Sequence, residues 1–364
     1  MHTEDLLEPG SPIIEDKPVK QASRNTTLWI FLHVVAFLAG LGVLIALVFK
    51  YRADISSAFA GVGFGFLLLI GCNLTRHLLR AASMYRAIDP EKRTFRYRSA
   101  VAARMGGETV TLFSAFTGPF LGDATKVMLM KKHIPVSYGA SAVIIDNILY
   151  YTSVIFIVLA GVIILLLKYG SSGSRMSTIL LVIVISVVVV FILFATAILR
   201  KITPFTKALD LLSRFNIAPG FLIRKREGIL NVENNVFRFY HNRPADFFIV
   251  FGISLCVHMM SITEVYLALT FLGFDPTIAK AVIIEGLTKV VNLTNGFIPG
   301  NVGVYEGGNA LILKTIGYGD SLGDGTAFAL VRRGASLCGN LVGVIILFWR
   351  GAESGVRRLA KNTD

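Results

Sequence analysis

AKAVIIEGLTKVVNLTNGFIPGNVGVYEGGNALILKTI, residues 279–316, is apolar enough to lie in a bilayer, yet Gly296, Pro299, Gly300, Gly303, Gly307 and Gly308 interrupt it. A helix needs about 20 apolar residues to cross roughly 30 Å of hydrocarbon, and neither side of the break supplies them. Irregular backbone at membrane depth is tolerated only where protein buries it or where it lines a cavity. The segment therefore reads as two half-helices that enter and leave on one side. Residues 101–130 read the same way, broken by Gly106, Gly107, Gly118, Pro119 and Gly122.

Around these segments lie six apolar runs of spanning length, residues 28–49, 55–79, 138–167, 179–199, 247–272 and 327–348. Of the 364 residues 54% are hydrophobic and 16% charged, more apolar surface than a soluble core of this size needs. The expected fold is all-α: a polytopic integral membrane protein with about six spanning helices and two re-entrant half-helix pairs. Residues 1–21 are polar, carry both charge signs and lack an apolar core with a cleavage site, so no removable signal peptide is expected. Cys72, Cys256 and Cys338 all fall in apolar stretches and read as small core residues rather than as a disulfide or metal framework.

A net charge of +13 invites a nucleic-acid reading, but the basic residues concentrate between apolar runs, where membrane proteins keep cytoplasmic anchors. With both broken segments re-entrant, one side of the membrane gathers about 26 of the 36 basic residues. The positive-inside rule makes that side cytoplasmic and puts both termini there, in a multi-pass protein of the inner (cytoplasmic) cell membrane.

The same reading divides the chain into a tail (1–27), a first span (28–54), a first repeat (55–167), a span with a polar insert (168–244), a second repeat (245–350) and a tail (351–364). Each repeat holds a long span, a broken pair and another long span. Residues 139–146 (GASAVIID) and 325–332 (GTAFALVR) align without a gap, and the span between the repeats makes the second copy run inverted. Within the insert, Leu209, Leu212, Phe215, Ile229 and Phe237 alternate with Arg214, Arg224, Lys225, Arg226 and Arg238, the pattern of amphipathic helices drawn to anionic lipid on the cytoplasmic face.

Charges at membrane depth are costly and mark functional sites. The first repeat offers Arg76, Arg104, Glu108, Asp123, Lys126 and Asp146; the second offers His258, Glu264, Glu285, Lys289, Glu306, Arg332 and Arg333. Arg76, Lys126, Glu264 and Arg333 stand near helix ends and can snorkel, and His258 reads as a satisfied core histidine. The turns 117–123 (TGPFLGD) and 298–306 (IPGNVGVYE) join permissive glycines to an acid, leaving half-helix ends free to hold a headgroup. The candidate lipid-binding set is therefore Glu108, Gly118, Pro119, Asp123, Asp146, Glu285, Lys289, Pro299, Gly300, Gly303, Glu306 and Arg332. Asp146 and Arg332 occupy matching places in the two echoes and are expected to share one electrostatic network.

Other motifs fail on context. Gly61, Gly63 and Gly65 follow no strand and read as packing glycines within a spanning helix, not a dinucleotide loop. Asp320 and Asp324 lack the remaining calcium ligands, and no spacing for zinc, a nucleotide loop or a nucleophile elbow is present. No metal or other cofactor is expected.

The turn from Pro299 to Gly307, followed by Arg332, resembles the flippase-like transmembrane region of lysylphosphatidylglycerol synthases, a family that includes stand-alone, hopanoid-associated and glycosyltransferase-annotated membrane proteins. The resemblance covers roughly residues 55–350 and takes in the Gly118, Pro119, Gly122, Asp123 turn. Asn301 replaces the family's second glycine, and Asp123 stands for its glutamate. With no aminoacyl-transferase domain after Asp364, the resemblance implies the lipid-moving half alone. The expected function is translocation of a phospholipid or lipid-linked headgroup without ATP hydrolysis. The alternatives are a polyprenyl-phosphate-dependent glycosyltransferase, with Asp123 or Glu306 as base, and a structural subunit of a lipid-synthesis complex. The expected partner is membrane lipid; self-association is left open by the sequence.

Overall fold

The computed structural model describes residues 44–113, 118–169, 203–215, 220–292, 301–318 and 322–361, with scattered positions in 38–42 and 178–200. Among them are twelve α-helices and no strand. In chain order they are α1 Arg52–Val62, α2 Gly65–Ala87, α3 Tyr97–Phe113, α4 Gly118–Met130, α5 Val136–Tyr169, α6 Pro204–Arg214, α7 Gly220–Ile223, α8 Arg226–Asn242, α9 Pro244–Phe271, α10 Ile278–Asn292, α11 Val304–Thr315 and α12 Leu322–Lys361.

Three of these carry segments long and apolar enough to cross a membrane: Val136–Lys168, Pro244–Phe271 and Leu322–Ile346, with mean hydropathies of 2.6, 1.9 and 1.4. Only 39% of the α5 window is buried inside the protein. Its outer face carries Phe156, Ile163 and Leu167, as α9 carries Phe248 and Ile249. In water such surface would cost about 25 cal/mol per Å²; against acyl chains it costs nothing. The chain is an all-α, multi-pass membrane protein.

One expected span is bent. Residues 55–79 are not one straight helix: α1 ends at Gly63, whose φ of 46° lies in the left-handed region, and the pair Ile55–Val62 and Gly65–Ala87 is bent by 82°. Gly63 therefore breaks the helix rather than packing it. Its neighbour Gly65 does pack, since an added Cβ would meet the Phe271 ring at 2.6 Å. After the bend α2 continues to Ala87, so Arg76 and Arg80 sit inside a helix. The runs at 138–167, 247–272 and 327–348 fall on α5, α9 and α12, whereas most of 28–49 and 179–199 lies outside the described residues.

Both broken segments fold into antiparallel helical hairpins. In the first, α3 and α4 close on glycine: a Cβ on Gly122 would run into the Thr111 hydroxyl, and one on Gly107 would stand 2.6 Å from the Gly122 carbonyl. In the second, α10 and α11 meet where Gly308 faces Val291 and the Thr288 hydroxyl donates to Asn309 Oδ1 at 2.7 Å. Asn301 (φ 55°) and Gly303 (φ 78°) turn the chain into α11; asparagine is the side chain best suited, after glycine, to that region, which accommodates the departure from glycine there.

The halves α2–α5 and α9–α12 share the order long helix, hairpin, long helix, and each lends its hairpin to the other. α10 crosses α5 at Gly286 and Gly161, where an added Cβ on either glycine would come within 2.9–3.0 Å of a backbone carbonyl of the other helix. α3 crosses α12 at Gly343, whose added Cβ would meet the Met105 carbonyl at 2.6 Å. α9 lies along α2. The core between them holds Leu69, Val162, Val265, Leu269, Ile284, Leu313 and Phe328. In the insert, α6 opens with Pro204 in its first turn, where a missing N–H is harmless, and the Glu233 carboxylate on α8 accepts the Phe205 N–H at 2.8 Å. Phe205, Leu211, Leu212 and Phe215 stay exposed beside Lys207 and Arg214, as the amphipathic pattern requires.

Candidate functional site

Asp146, ten residues into α5, is 1% exposed and lies among cations from two other helices. Arg80 of α2 approaches its Oδ2 at 2.7 Å and Arg104 of α3 at 3.5 Å, while the Ser83 hydroxyl donates to Oδ1 at 2.5 Å. One turn along α3, Glu108 Oε1 takes both Arg104 (3.1 Å) and Lys126 of α4 (2.9 Å). Lys126 also reaches Asp123 Oδ1 at 2.8 Å, and Asn147 Nδ2 donates to Asp123 Oδ2 at 2.7 Å. The Arg80 guanidinium, which donates to Asn147 Oδ1 at 3.0 Å, stacks 3.8 Å from the centre of the Tyr150 ring.

A second cluster occupies the other half. Arg332, ten residues into α12, is 5% exposed and donates through Nε to Glu264 of α9 (3.2 Å) and through Nη2 to Glu285 of α10 (3.1 Å). Lys289, one turn from Glu285, holds its other oxygen at 2.6 Å.

The two clusters are the same constellation with the signs exchanged. Asp146 and Arg332 stand ten residues after the starts of α5 and α12. Arg80 and Glu264 stand seven residues before the ends of α2 and α9. Arg104 and Glu285 stand seven residues after the starts of α3 and α10, with Glu108 and Lys289 four residues further on each. The first half puts an acid between two arginines, and the second puts an arginine between two glutamates. Arg76 joins them: one turn before Arg80 on α2, it donates to Glu264 Oε2 at 2.6 Å and to the Ser261 hydroxyl at 3.0 Å. Asp146 and Arg332, expected to share one electrostatic network directly or through a bound headgroup, make no direct contact. Each residue has its own partners, and the link runs through α2.

The halves differ in their hairpins. Where α4 carries Asp123 and Lys126, the matching positions of α11, at the spacing of the Gly139 and Gly325 echoes, hold Asn309 and Ile312, both buried. The first half opens a cavity of about 260 Å³ bordered by Arg76, Arg80, Arg104, Glu108, Asp123, Lys126 and Tyr150. The side chains of Arg76, Glu108 and Asp123, 24%, 25% and 33% exposed, face it most openly. Among the described residues, the buried Nε and Nη1 of Arg80 and Nε of Arg104 have no hydrogen-bond partner. A larger cavity of about 530 Å³ lies between the end of α2 and the start of α9. Its charges tie those ends together: Asp246 pairs with Arg86 and Arg243, and Arg243 caps α2 by donating to the Arg86 and Ala87 carbonyls at 2.9 and 3.2 Å.

The expected site residues thus separate. Glu108 and Asp123 border the cavity, Asp146 lies behind it, and Glu285, Lys289 and Arg332 belong to the second cluster. Glu306 is fully buried; it accepts the Gly303 N–H at 2.8 Å and pairs with Arg333 at 2.5 Å, so it secures the start of α11. Gly303 supplies the left-handed turn that makes this possible. Gly118 and Pro119 open α4, and Pro299 and Gly300 lie outside the described residues. His258 lies in the core, with Nε2 3.0 Å from the Ser153 hydroxyl and its ring stacked on Tyr150. Arg80, Asn147 and Tyr150 escaped the sequence reading. The available signal was the Arg76, Arg80 spacing of four, which puts both on one helical face.

The family model of the lysylphosphatidylglycerol synthase TM region matches residues 27–343, and the chain belongs to that family. No curated protein and no solved structure matches the chain. Membership carries a lipid-related membrane function.

Proposed function

We propose that the protein moves a phospholipid or lipid-linked headgroup between leaflets without ATP hydrolysis. The carrying observation is the charged cavity of about 260 Å³ enclosed by α2, a broken-helix hairpin and α5 in a protein whose outer faces are apolar. Charges are brought to membrane depth at a cost of about 3 kcal/mol each on insertion scales, and here they surround space rather than packing solid. A headgroup enters the cavity while its acyl chains remain in lipid. The sign-exchanged clusters supply two ends of an inverted pair, and rocking of one half on the other would open the second cluster as the first closes. In this reading the two hairpins are re-entrant, both termini are cytoplasmic, and the insert rests on anionic lipid of that face.

The purified protein in liposomes should expose tail-labelled fluorescent phospholipid of the inner leaflet to a membrane-impermeant reductant, which empty liposomes do not. Bleaching that stops at the outer-leaflet half, together with sugar transfer from a polyprenyl-phosphate donor in the same liposomes, would replace translocation by the glycosyltransferase reading. Bleaching that stops there without sugar transfer would leave the structural-subunit reading.

A further inference from the structure

The ion pairs of the two clusters form two chains, and only one of them balances. Among the described residues, Lys126, Arg104 and Arg80 pair with Asp123, Glu108 and Asp146 along the first, three cations with three carboxylates. The second runs from Lys289 through Glu285, Arg332 and Glu264 to Arg76, three cations with two carboxylates. One positive charge is left over. Lys289 and Arg332 do not border the cavity of about 260 Å³, whereas Arg76 does.

Arg76 is also the arginine that can be reached from that cavity. Its side chain is 24% exposed, against 5%, 9% and 3% for Arg80, Arg104 and Lys126 on the same wall. Both of its hydrogen bonds, to Glu264 and to Ser261, leave from Nη1. Nε and Nη2 form the other edge of the guanidinium, and such an edge matches two oxygens of a phosphate. They have no acceptor among the described residues and, unlike Nε and Nη1 of Arg80, are not closed off from solvent. Glu108 and Asp123, the open carboxylates of the wall, belong to the chain that already balances.

Building on the translocation reading, we infer that Arg76 is the anion-binding residue of the cavity, and that the headgroup it takes carries one phosphodiester and no cation, as in a glycerol phospholipid. The phosphate oxygens accept from Nε and Nη2 of Arg76 while Glu264 stays on Nη1, and the single negative charge cancels the surplus of the second chain. A zwitterionic headgroup leaves that surplus uncancelled, because its ammonium replaces the charge its phosphate removes. A lysyl-glycerol headgroup brings net positive charge to a site that already has it, and an uncompensated charge in an enclosed site is strongly destabilising.

The test uses the full chain in liposomes and four tail-labelled lipids with glycerol, ethanolamine, choline and lysyl-glycerol headgroups, read by reductant bleaching. The glycerol lipid should cross at least about ten-fold faster than each of the others, a difference of ~1.4 kcal/mol in barrier. Arg76→Gln deletes the surplus charge and leaves Lys289 and Arg332 with Glu285 and Glu264. It should lower the glycerol-to-ethanolamine rate ratio about ten-fold, and Arg76→Lys, which keeps the charge without the planar fork, should restore part of it. Thermal unfolding of each variant checks that the fold is kept; if Arg76→Gln does not fold, the four-lipid comparison on the unaltered chain decides. Equal rates for all four lipids, a faster ethanolamine, choline or lysyl-glycerol lipid, or an unchanged ratio in folded Arg76→Gln would overturn the anion assignment while leaving translocation intact. Inorganic phosphate trapped in the same liposomes supplies the same charge without tails. Its escape while no lipid crosses would assign the site to a soluble phosphate and overturn the headgroup. Movement of none of the four lipids, with no escape of phosphate, would remove translocation as well.

Discussion

Replacing Asp146 by Asn removes the only carboxylate among the described residues that pairs with Arg80, 2.7 Å away, at a site where the two side chains are 1% and 5% exposed. Breaking a buried ion pair from one side costs about 3–5 kcal/mol because a buried charge is left uncompensated. The lower end applies here. Arg80 keeps Asn147 Oδ1 at 3.0 Å and the Tyr150 ring, and Arg104 keeps Glu108. Asp146→Asn should therefore cost about 3 kcal/mol, and Arg80→Met, which leaves the acid with Arg104 at 3.5 Å and Ser83, a similar amount. The double variant leaves no orphan, so it should cost about 3 kcal/mol rather than the sum, a coupling at the upper end of the 0.5–3 kcal/mol found for contacting residues. Asp146→Asn combined with Arg332→Met should instead add, to within about 0.5 kcal/mol, since the two share no partner. Equilibrium unfolding in mixed micelles, followed by circular dichroism, measures these four variants and Arg332→Met alone. Additivity of Asp146 with Arg80, or strong coupling of Asp146 with Arg332, would refute the assignment of two separate clusters.

Gly122→Ala should destabilise by about 1–3 kcal/mol through overpacking, and Thr111→Ala should recover part of that loss in the same unfolding assay, because the Thr111 hydroxyl is the first atom the new methyl meets. At Gly63 (φ 46°), alanine should cost about 1–2 kcal/mol from backbone strain; an unchanged midpoint would argue against the helix break. Glu306→Gln keeps an acceptor for the Gly303 N–H but loses the charge paired with Arg333, so any fall in lipid transport should follow a fall in stability; full stability with abolished transport would return Glu306 to the headgroup. Tryptophan in place of Phe205 or Phe215, both exposed on the insert, should be quenched by brominated anionic lipid in vesicles, and quenching equal to that of a water-facing control position would detach the insert from the membrane.

Some of this was settled by composition and order along the chain. Apolar runs 20 or more residues long make lipid the solvent, so α5, α9 and α12 could be placed before any fold was known. Glycine and proline at 106–122 and 296–308 mark where helices must stop, and the hairpins α3/α4 and α10/α11 form there. The gapless echo of 139–146 in 325–332 gave the repeat, because matching residues in matching helices recur at one spacing. The partners of the charges were not legible. Arg332 meets Glu264 and Glu285 across 68 and 47 residues of chain, and Asn147 meets Arg80 across 67. Hydropathy shows that a charge lies at membrane depth but not which face of its helix it occupies, and pairing depends on that face and on the helix packed against it. The same limit hid the break at Gly63, where three glycines in an apolar run fit a straight helix as well as a bent one; the Phe271 ring packed against Gly65 belongs to a distant helix. Nor could Glu306 be separated from the headgroup candidates by type or spacing. Only the fold brought Arg333 and the Gly303 N–H to its two oxygens, while placing Glu108 on the wall of a cavity.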